Sequence, residues 1–413
     1  MSVSPELFFS LQGEDIRMEP MKGTRPRGRN HSEDLALKNA LLDSEKERAE
    51  NLMIVDMIRN DLGRIARPGS VAVDELFKIV ALPSLWQQVS SVRAQTDASL
   101  GDLFAALFPC ASITGAPKRR SMEVIHEMEN EARGVYTGAI GMVQPKRRMQ
   151  FSVGIRTLVR NRLSGELSYG IGSGVVWDSN PQAEWQETLD KAQIVLNKSP
   201  TQFRLLETMA CYPEQGVYLL AHHLERLAQS ADYFGFSVNL ESISKALGAL
   251  KVDSPQRLRL LVSQDGEYEF QQHELPTQDG NLLLAVAATP VSSTDPFLQH
   301  KTTRREVYES AMAAAGRADD VILWNEKGEL TETCIYNLYL QFGEELFTPD
   351  QSSGLLPGTY RRMMLETGRA SEKILTLEDL ERADAIFVSN SVRGLQQACL
   401  VTRPMHSSLE SIQ

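Results

Sequence analysis

The feature that most constrains the fold is a break. Asn197-Lys198-Ser199-Pro200-Thr201 is a short polar stretch, and the pattern of strands and helices starts afresh on its far side. A chain of 413 residues is long enough for two or three cored domains. The break predicts two, over 1–197 and 202–404. Both halves mix strands with helices without the regular alternation of a doubly wound sheet, so the expected class is α+β. No internal repeat or low-complexity tract is visible.

In the first half, strands are predicted over 6–11 and 16–21 about a Gln12-Gly13-Glu14-Asp15 turn. A long helix, with Ser32 as N-cap, is expected to run to about Leu62. Strands over 71–82 and 85–92 follow, then helices over 102–107 and 117–129. Strands over 135–143, 149–159 and 167–176 and a helix over 182–196 complete it. The second half predicts strands over 203–209, 258–262, 268–273, 282–287, 321–324 and 337–342. Its helices fall over 223–234, 240–250 and 304–315, with one more after Pro357-Gly358.

Apolar content of 42% and charged content of 23% are ordinary for a globular chain. A formal net charge of -11 argues against nucleic-acid binding as the main role. Cys110, Cys211, Cys334 and Cys399 are scattered, without zinc-ligand spacing, which suits buried thiols in a reducing cytoplasm. The opening residues lack a basic segment leading into an apolar run, and no apolar run spans a bilayer, so neither a secretory signal nor a membrane span is expected.

Lys22 lies in Pro20-Met21-Lys22-Gly23-Thr24, a turn that would otherwise pass for a solvated loop. Glu47 and Glu50 stand three apart in a helical pattern, as do Glu184 and Glu187, which puts each pair on one helix face. Surface helices carry many such pairs. Two of them facing each other would need a hard cation such as Mg²⁺. The Gly170-Ile171-Gly172-Ser173-Gly174 run lacks the third spaced glycine and the later acid of a dinucleotide loop.

Ser4-Pro5-Glu6, the Lys22 turn, the glutamate pairs and Ser112-Ile113-Thr114-Gly115-Ala116-Pro117-Lys118, in that order, resemble the chorismate-utilising enzymes. A lysine in the turn is similar to the aminodeoxychorismate synthases, where it is the proposed nucleophile; most other members carry alanine there. The resemblance implies that Glu6 is the general acid that protonates the departing C4 hydroxyl. It implies that Lys22, which must be neutral, attacks at C2 before ammonia adds at C4. Glu50 and Glu187 match the Mg²⁺ ligands, with Glu47 and Glu184 as supporting acids. Thr114, Tyr136, Arg156, Gly172 and Gly174 match substrate-binding positions: Arg156 would clamp a carboxylate, and the glycines would admit backbone N–H groups. Gln87 takes the place of a histidine found in anthranilate and salicylate synthases. Relatives carry well over a hundred residues before Ser-Pro-Glu, so the chain is expected to present the C-terminal part of that domain.

In the second half, Leu206-Glu207-Thr208-Met209, His223-Leu224-Glu225-Arg226 and Ala231-Asp232-Tyr233-Phe234-Gly235 resemble fold-type IV pyridoxal-phosphate enzymes. That group holds aminodeoxychorismate lyase and the branched-chain and D-amino-acid aminotransferases. The resemblance implies that Arg226 holds the cofactor phosphate and that Lys301 is the lysine the cofactor binds. Glu332 would pair with the pyridine nitrogen, with Asn337 in the same motif. Gly358 and Thr359 of Leu356-Pro357-Gly358-Thr359, and Ser389-Asn390-Ser391, match phosphate-cradling turns.

One half resembles a maker of aminodeoxychorismate and the other its consumer. Together they imply synthesis of 4-aminobenzoate for folate from chorismate, with ammonia from a separate glutamine amidotransferase subunit. A homodimer through the pyridoxal-phosphate domain is the group's usual assembly. Two alternatives stay open: a lyase or class IV aminotransferase beside an inactive first half, and a first half that only docks a partner. Lys301 and Glu332 are shared by lyases and aminotransferases and do not separate them.

Overall fold

The computed structural model describes residues 1–177, 179–196, 202–275 and 281–401. The break at 197–201 and the expected domain end at 402–404 lie outside the described residues. The chain divides into two compact units, Met1–Arg27 with Leu35–Pro200, and Gly28–Asp34 with Thr201–Gln413. Both are α+β.

Among the described residues, the first unit centres on a sheet ordered Met21–Pro26, Leu85–Gln95, Asp15–Glu19, Leu7–Gln12, Arg148–Val153, Ala139–Gln144, with Ala72–Ala81 also paired to Leu85–Gln95. Inward residues alternate along the strands: Phe9 and Leu11 from one, Ile16 and Met18 from the next. Helix Glu45–Gly63 lays Ile54, Val55, Ile58 and Leu62 into the same core, the stripe expected of an amphipathic helix. Each such fully buried side chain contributes roughly 1.5–3 kcal/mol.

Several boundaries differ from those the pattern predicts. The helix expected over 32–62 is two helices, His31–Leu42 and Glu45–Gly63. Ser32 lies inside the first. Ser44 is the N-cap of the second and accepts the Glu47 N–H, because a short polar side chain bonds backbone more readily at a helix start than within one. The strand expected over 135–143 begins at Ala139, since Gly134 and Thr137 take positive φ and Gly138 closes a turn onto Val135. The strand expected over 149–159 ends at Val153; Arg156 turns the chain with φ of 47°, and Leu158–Arg160 pairs with Leu167–Tyr169 as a separate hairpin. Beyond Tyr169 the glycine-rich run is not a strand.

In the second unit, helix Leu220–Phe234 packs on an antiparallel sheet ordered Gly216–Val217, Leu205–Tyr212, Gln256–Val262, Tyr268–Glu274. A second sheet runs Leu330–Thr333, Asp320–Trp324, Leu282–Val286, Gly394–Leu400, Ala385–Asn390, Asn337–Phe342, then Glu345–Pro349 and Ser371–Lys373. The pair Glu332 and Asn337 joins Leu330–Thr333 to Asn337–Phe342 and closes this sheet into a barrel-like ring. No single helix among the described residues is long and apolar enough to cross a membrane.

Candidate active sites

In the first unit, Glu6 precedes strand Leu7–Gln12 and is buried. Its carboxylate accepts a short hydrogen bond from the Ser112 hydroxyl and another from the Met21 N–H. Burial pushes its pKa up, against the pull of those bonds and of the Lys22 and Lys191 ammonium groups. Lys22 therefore lies close to a carboxyl disposed to hold a proton. Gln87 ties the lysine's turn down, donating to the Gly23 carbonyl at 2.9 Å and accepting from the Thr24 hydroxyl at 3.2 Å.

The Gly170–Gly174 run passes between Tyr136 and Lys22. A Cβ at Gly172 would stand 3.1 Å from the Tyr136 hydroxyl, and one at Gly174 would stand 3.2 Å from Lys22 Nζ. Lys191 Nζ donates to the Gly172 carbonyl at 3.0 Å. Arg156 is half-buried, and desolvation lowers its pKa. Its backbone takes the left-handed region, and its guanidinium has no ion-pair partner among the described residues, which leaves it available to an anion. The Thr114 hydroxyl is committed to the Cys110 carbonyl at 3.1 Å.

Each of the four glutamates has a partner of its own, Glu50 lying 4.0 Å from Lys46. Glu47 pairs with Arg25 at 3.2 Å, Glu187 with Lys191 at 2.6 Å, and Glu184 accepts from Ser179 at 2.7 Å. Among the described residues no group of three or more His, Cys, Asp or Glu side chains converges closely enough to hold a metal. Glu50 is nevertheless crowded: burial, then Glu47 and Glu184, raise its pKa against the pull of Lys22 and Lys46.

In the second unit the expected residues converge. Arg226, Lys301, Glu332, Asn337, Gly358, Thr359, Ser389, Asn390 and Ser391 all line one cavity of about 250 Å³. Lys301 follows the short helix Pro296–Gln299; its carbonyl accepts the Leu206 N–H at 3.0 Å, anchoring it to the first sheet. Burial and the nearby Arg226 and Arg305 lower its pKa to about 8, despite Glu207 and Glu332. Glu332 accepts the Tyr308 hydroxyl at 2.8 Å and the Leu356 N–H at 3.2 Å, yet burial raises its carboxyl to about 7. A lysine whose pKa is lowered to about 8, lining one cavity with a buried acid and arginines, suits carbonyl chemistry on a group with an anionic arm and a cationic ring.

Sequence reasoning missed several neighbours. Arg257 and Arg259 alternate along strand Gln256–Val262 and so share one face, which lines the cavity with Arg305, Tyr308 and Arg393. The Arg-Leu-Arg spacing was the available signal. Glu207 stands between buried Leu206 and half-buried Thr208 and is itself buried. An acid in an otherwise apolar strand marks a paired charge.

Residues 1–197 match the family model described as chorismate binding enzyme, and residues 204–401 match amino-transferase class IV. The first half is 46% identical over 199 residues to an anthranilate synthase component 1 of Haloarcula marismortui, covering 48% of this chain and 40% of that one. It is also 46% identical over 200 residues to an aminodeoxychorismate synthase component 1 of Klebsiella aerogenes, covering 48% of this chain and 44% of that one. The chain thus spans less than half the length of these curated relatives. A crystal structure described as an amino-acid aminotransferase from Mesorhizobium loti is 36% identical, with a TM-score of 0.45, and covers 48% of this chain and all of that one. Fold-type IV proteins use pyridoxal phosphate, and the lysine, acid and arginine around the cavity fit that group. The chain therefore carries, in series, a chorismate-binding domain over residues 1–197 and a class IV aminotransferase domain over residues 204–401.

Proposed function

We propose that the chain makes 4-aminobenzoate from chorismate in two steps, amination to 4-amino-4-deoxychorismate in the first domain and elimination of pyruvate in the second. The observation that carries this reading is the arginine lining of the Lys301 cavity. Arg257, Arg259, Arg305 and Arg393 suit a small ring bearing two carboxylates, and that is what the first domain would deliver. Equal identity to an anthranilate and an aminodeoxychorismate synthase does not separate those activities. Lys22, placed close to Glu6, favours the second.

In the first step Glu6 protonates the C4 hydroxyl, which leaves as water while the Lys22 amine bonds to C2. Ammonia from a glutamine amidotransferase subunit then bonds to C4, and the C2–N bond to Lys22 breaks. Arg156 takes a substrate carboxylate, and Tyr136, Thr114, Gly172 and Gly174 wall the ring. Glu50 and Glu187, supported by Glu47 and Glu184, would hold Mg²⁺ against substrate oxygens. The crowding of Glu50 by Glu47 and Glu184 supports this, because a divalent charge relieves it.

In the second domain Lys301 would bind pyridoxal phosphate, Glu332 would face its ring nitrogen, and Arg226 with the turns at Gly358-Thr359 and Ser389–Ser391 would take the phosphate. When bound, the cofactor supplies a sink for the electron pair left at C4. Lys301 removes the C4 proton and returns a proton to the enolpyruvyl methylene as the ring C–O bond breaks. Pyruvate leaves and the ring becomes aromatic. The arginines hold the carboxylates through this step.

The test is incubation of the purified chain with chorismate, ammonium, Mg²⁺ and pyridoxal phosphate, read as 4-aminobenzoate formation. Product is expected. Conversion of added aminodeoxychorismate without conversion of chorismate would restrict the activity to the second domain. Transamination of amino acids with no 4-aminobenzoate from either substrate would overturn the reading.

A further inference from the structure

Three buried side chains behind the Lys301 cavity form a closed network. Glu207 on strand Leu205–Tyr212 is 2% exposed, and His223 and Arg226 on helix Leu220–Phe234 are 1% and 7% exposed. Arg226 Nε donates to Glu207 Oε1 at 2.9 Å and Nη2 donates to Oε2 at 2.6 Å. Nη1 donates to the Pro357 carbonyl at 3.2 Å. A guanidinium has five N–H donors, so one on Nη1 and one on Nη2 remain, and Arg226 lines the cavity.

His223 Nδ1 lies 2.6 Å from Glu207 Oε2. Burial would raise the Glu207 pKa, but Arg226 and the hydrogen bonds from His223 and Arg226 hold it at about 2, so the carboxylate is ionised and accepts only. Burial in turn lowers the His223 pKa in spite of Glu207. The neutral ring must carry its proton on Nδ1, because two acceptors would otherwise face each other. Nε2 is then an acceptor, and the Thr359 hydroxyl, 3.3 Å away, donates to it. Thr359 opens helix Thr359–Glu366, whose first backbone N–H groups face outward from its N-terminus.

We propose that Glu207 is a positioning residue for the cofactor phosphate: it turns the Arg226 guanidinium so that its two remaining donors face the cavity, and through His223 it fixes Thr359 at the mouth of the adjoining helix. This rests on the reading that the cavity holds pyridoxal phosphate. Pre-orientation matters because a free arginine side chain has many rotamers, and ordering one on binding weakens affinity. The Thr359 hydroxyl is spent on His223, so its contribution to the anion comes from the backbone N–H.

The experiment titrates the cofactor-free full-length chain with pyridoxal phosphate and, separately, with pyridoxal, which lacks the phosphate, following absorbance. For Glu207→Gln, pyridoxal phosphate affinity is expected to fall roughly 10- to 100-fold, from the loss of charge-assisted bonds. Pyridoxal affinity stays close to the parent's, while the cofactor-free chain melts at a lower temperature because the buried Arg226 guanidinium loses its counter-charge. Glu207→Asp keeps the charge but draws it back by one methylene; it should show a smaller, phosphate-dependent loss, and it reports should Glu207→Gln fail to fold. Equal loss for both ligands, or none for either, would overturn the inference while leaving the cofactor reading intact. Failure of the parent chain to bind either ligand would overturn both.

Discussion

Gly358→Ala is the substitution whose cost the structure sets most directly. Gly358 has φ of -63° and ψ of 142°, a conformation alanine adopts freely, so the backbone carries no penalty. The added Cβ would overlap the Asn337 side-chain oxygen. Asn337 cannot simply step aside: it is 5% exposed, donates to the Leu356 carbonyl at 2.8 Å, and pairs with Glu332 to close the ring of strands. Moving it loses one buried hydrogen bond, about 1 kcal/mol, and strains a packed site by about 1–3 kcal/mol. The expected loss is about 2–4 kcal/mol, a fall in melting temperature of roughly 5–15 °C for a unit of this size. Urea denaturation of the cofactor-free chain, followed by a probe in the second unit, measures it. A cycle with Asn337→Ala isolates the cause, because removing the Asn337 amide removes the clash. In that background Gly358→Ala should cost under about 0.5 kcal/mol. The same cost in both backgrounds, or no cost in the parent, would refute the argument.

Glu6→Gln should lower 4-aminobenzoate formation from chorismate by about 10²- to 10⁴-fold, the usual worth of a general acid, and leave conversion of added aminodeoxychorismate unchanged. Lys22→Ala should show the same split between substrates, and mass spectrometry of the parent chain quenched during turnover should find ring adduct on the peptide carrying Lys22 and on none carrying Lys301. Gly174→Ala should impair only the first reaction, since its methyl group would press on Lys22 Nζ from 3.2 Å. Stability of the cofactor-free second unit should pass through a minimum around pH 7–8. Glu332 is raised from 4.5 to about 7, so the folded state binds the extra proton between those values and stability falls as pH rises through them. Lys301 is lowered from 10.5 to about 8, so there the unfolded state binds the extra proton and stability recovers as pH rises. Denaturation across this range should lose its lower limb in Glu332→Gln and its upper limb in Lys301→Ala.

Local chemistry was legible wherever a residue's meaning depends on its near neighbours. Strand Asn337–Phe342, helix Lys118–Met128 and the glycine before Thr359 follow from alternation, periodicity and turn residues within a few positions. Boundaries failed where polar side chains or positive φ angles interrupt an apolar pattern, as at Ser44, Thr137 and Arg156. The strands Leu330–Thr333, Ala385–Asn390 and Gly394–Leu400 went unforeseen, because polar residues such as Thr331, Ser389, Asn390, Gln396 and Gln397 interrupt the apolar pattern even where, as between Asn390 and Gly394, the pairing is local.

By itself, then, the sequence determined the two-part organisation, the α+β class and the residue types at each candidate site, because motif order and hydrophobic spacing are one-dimensional properties. Only the tertiary structure decided what surrounds them. It gathers Arg226, Lys301, Glu332 and Ser389 around one cavity by closing a ring of strands at Glu332 and Asn337. It also gives Glu47, Glu184 and Glu187 the partners Arg25, Ser179 and Lys191, which lie far from them in the chain or on another turn. The physical reason is that burial and long-range neighbours set the charge state and direction of a side chain. Glu207 is fixed at about 2 and Glu332 at about 7 by groups that no spacing along the chain brings together.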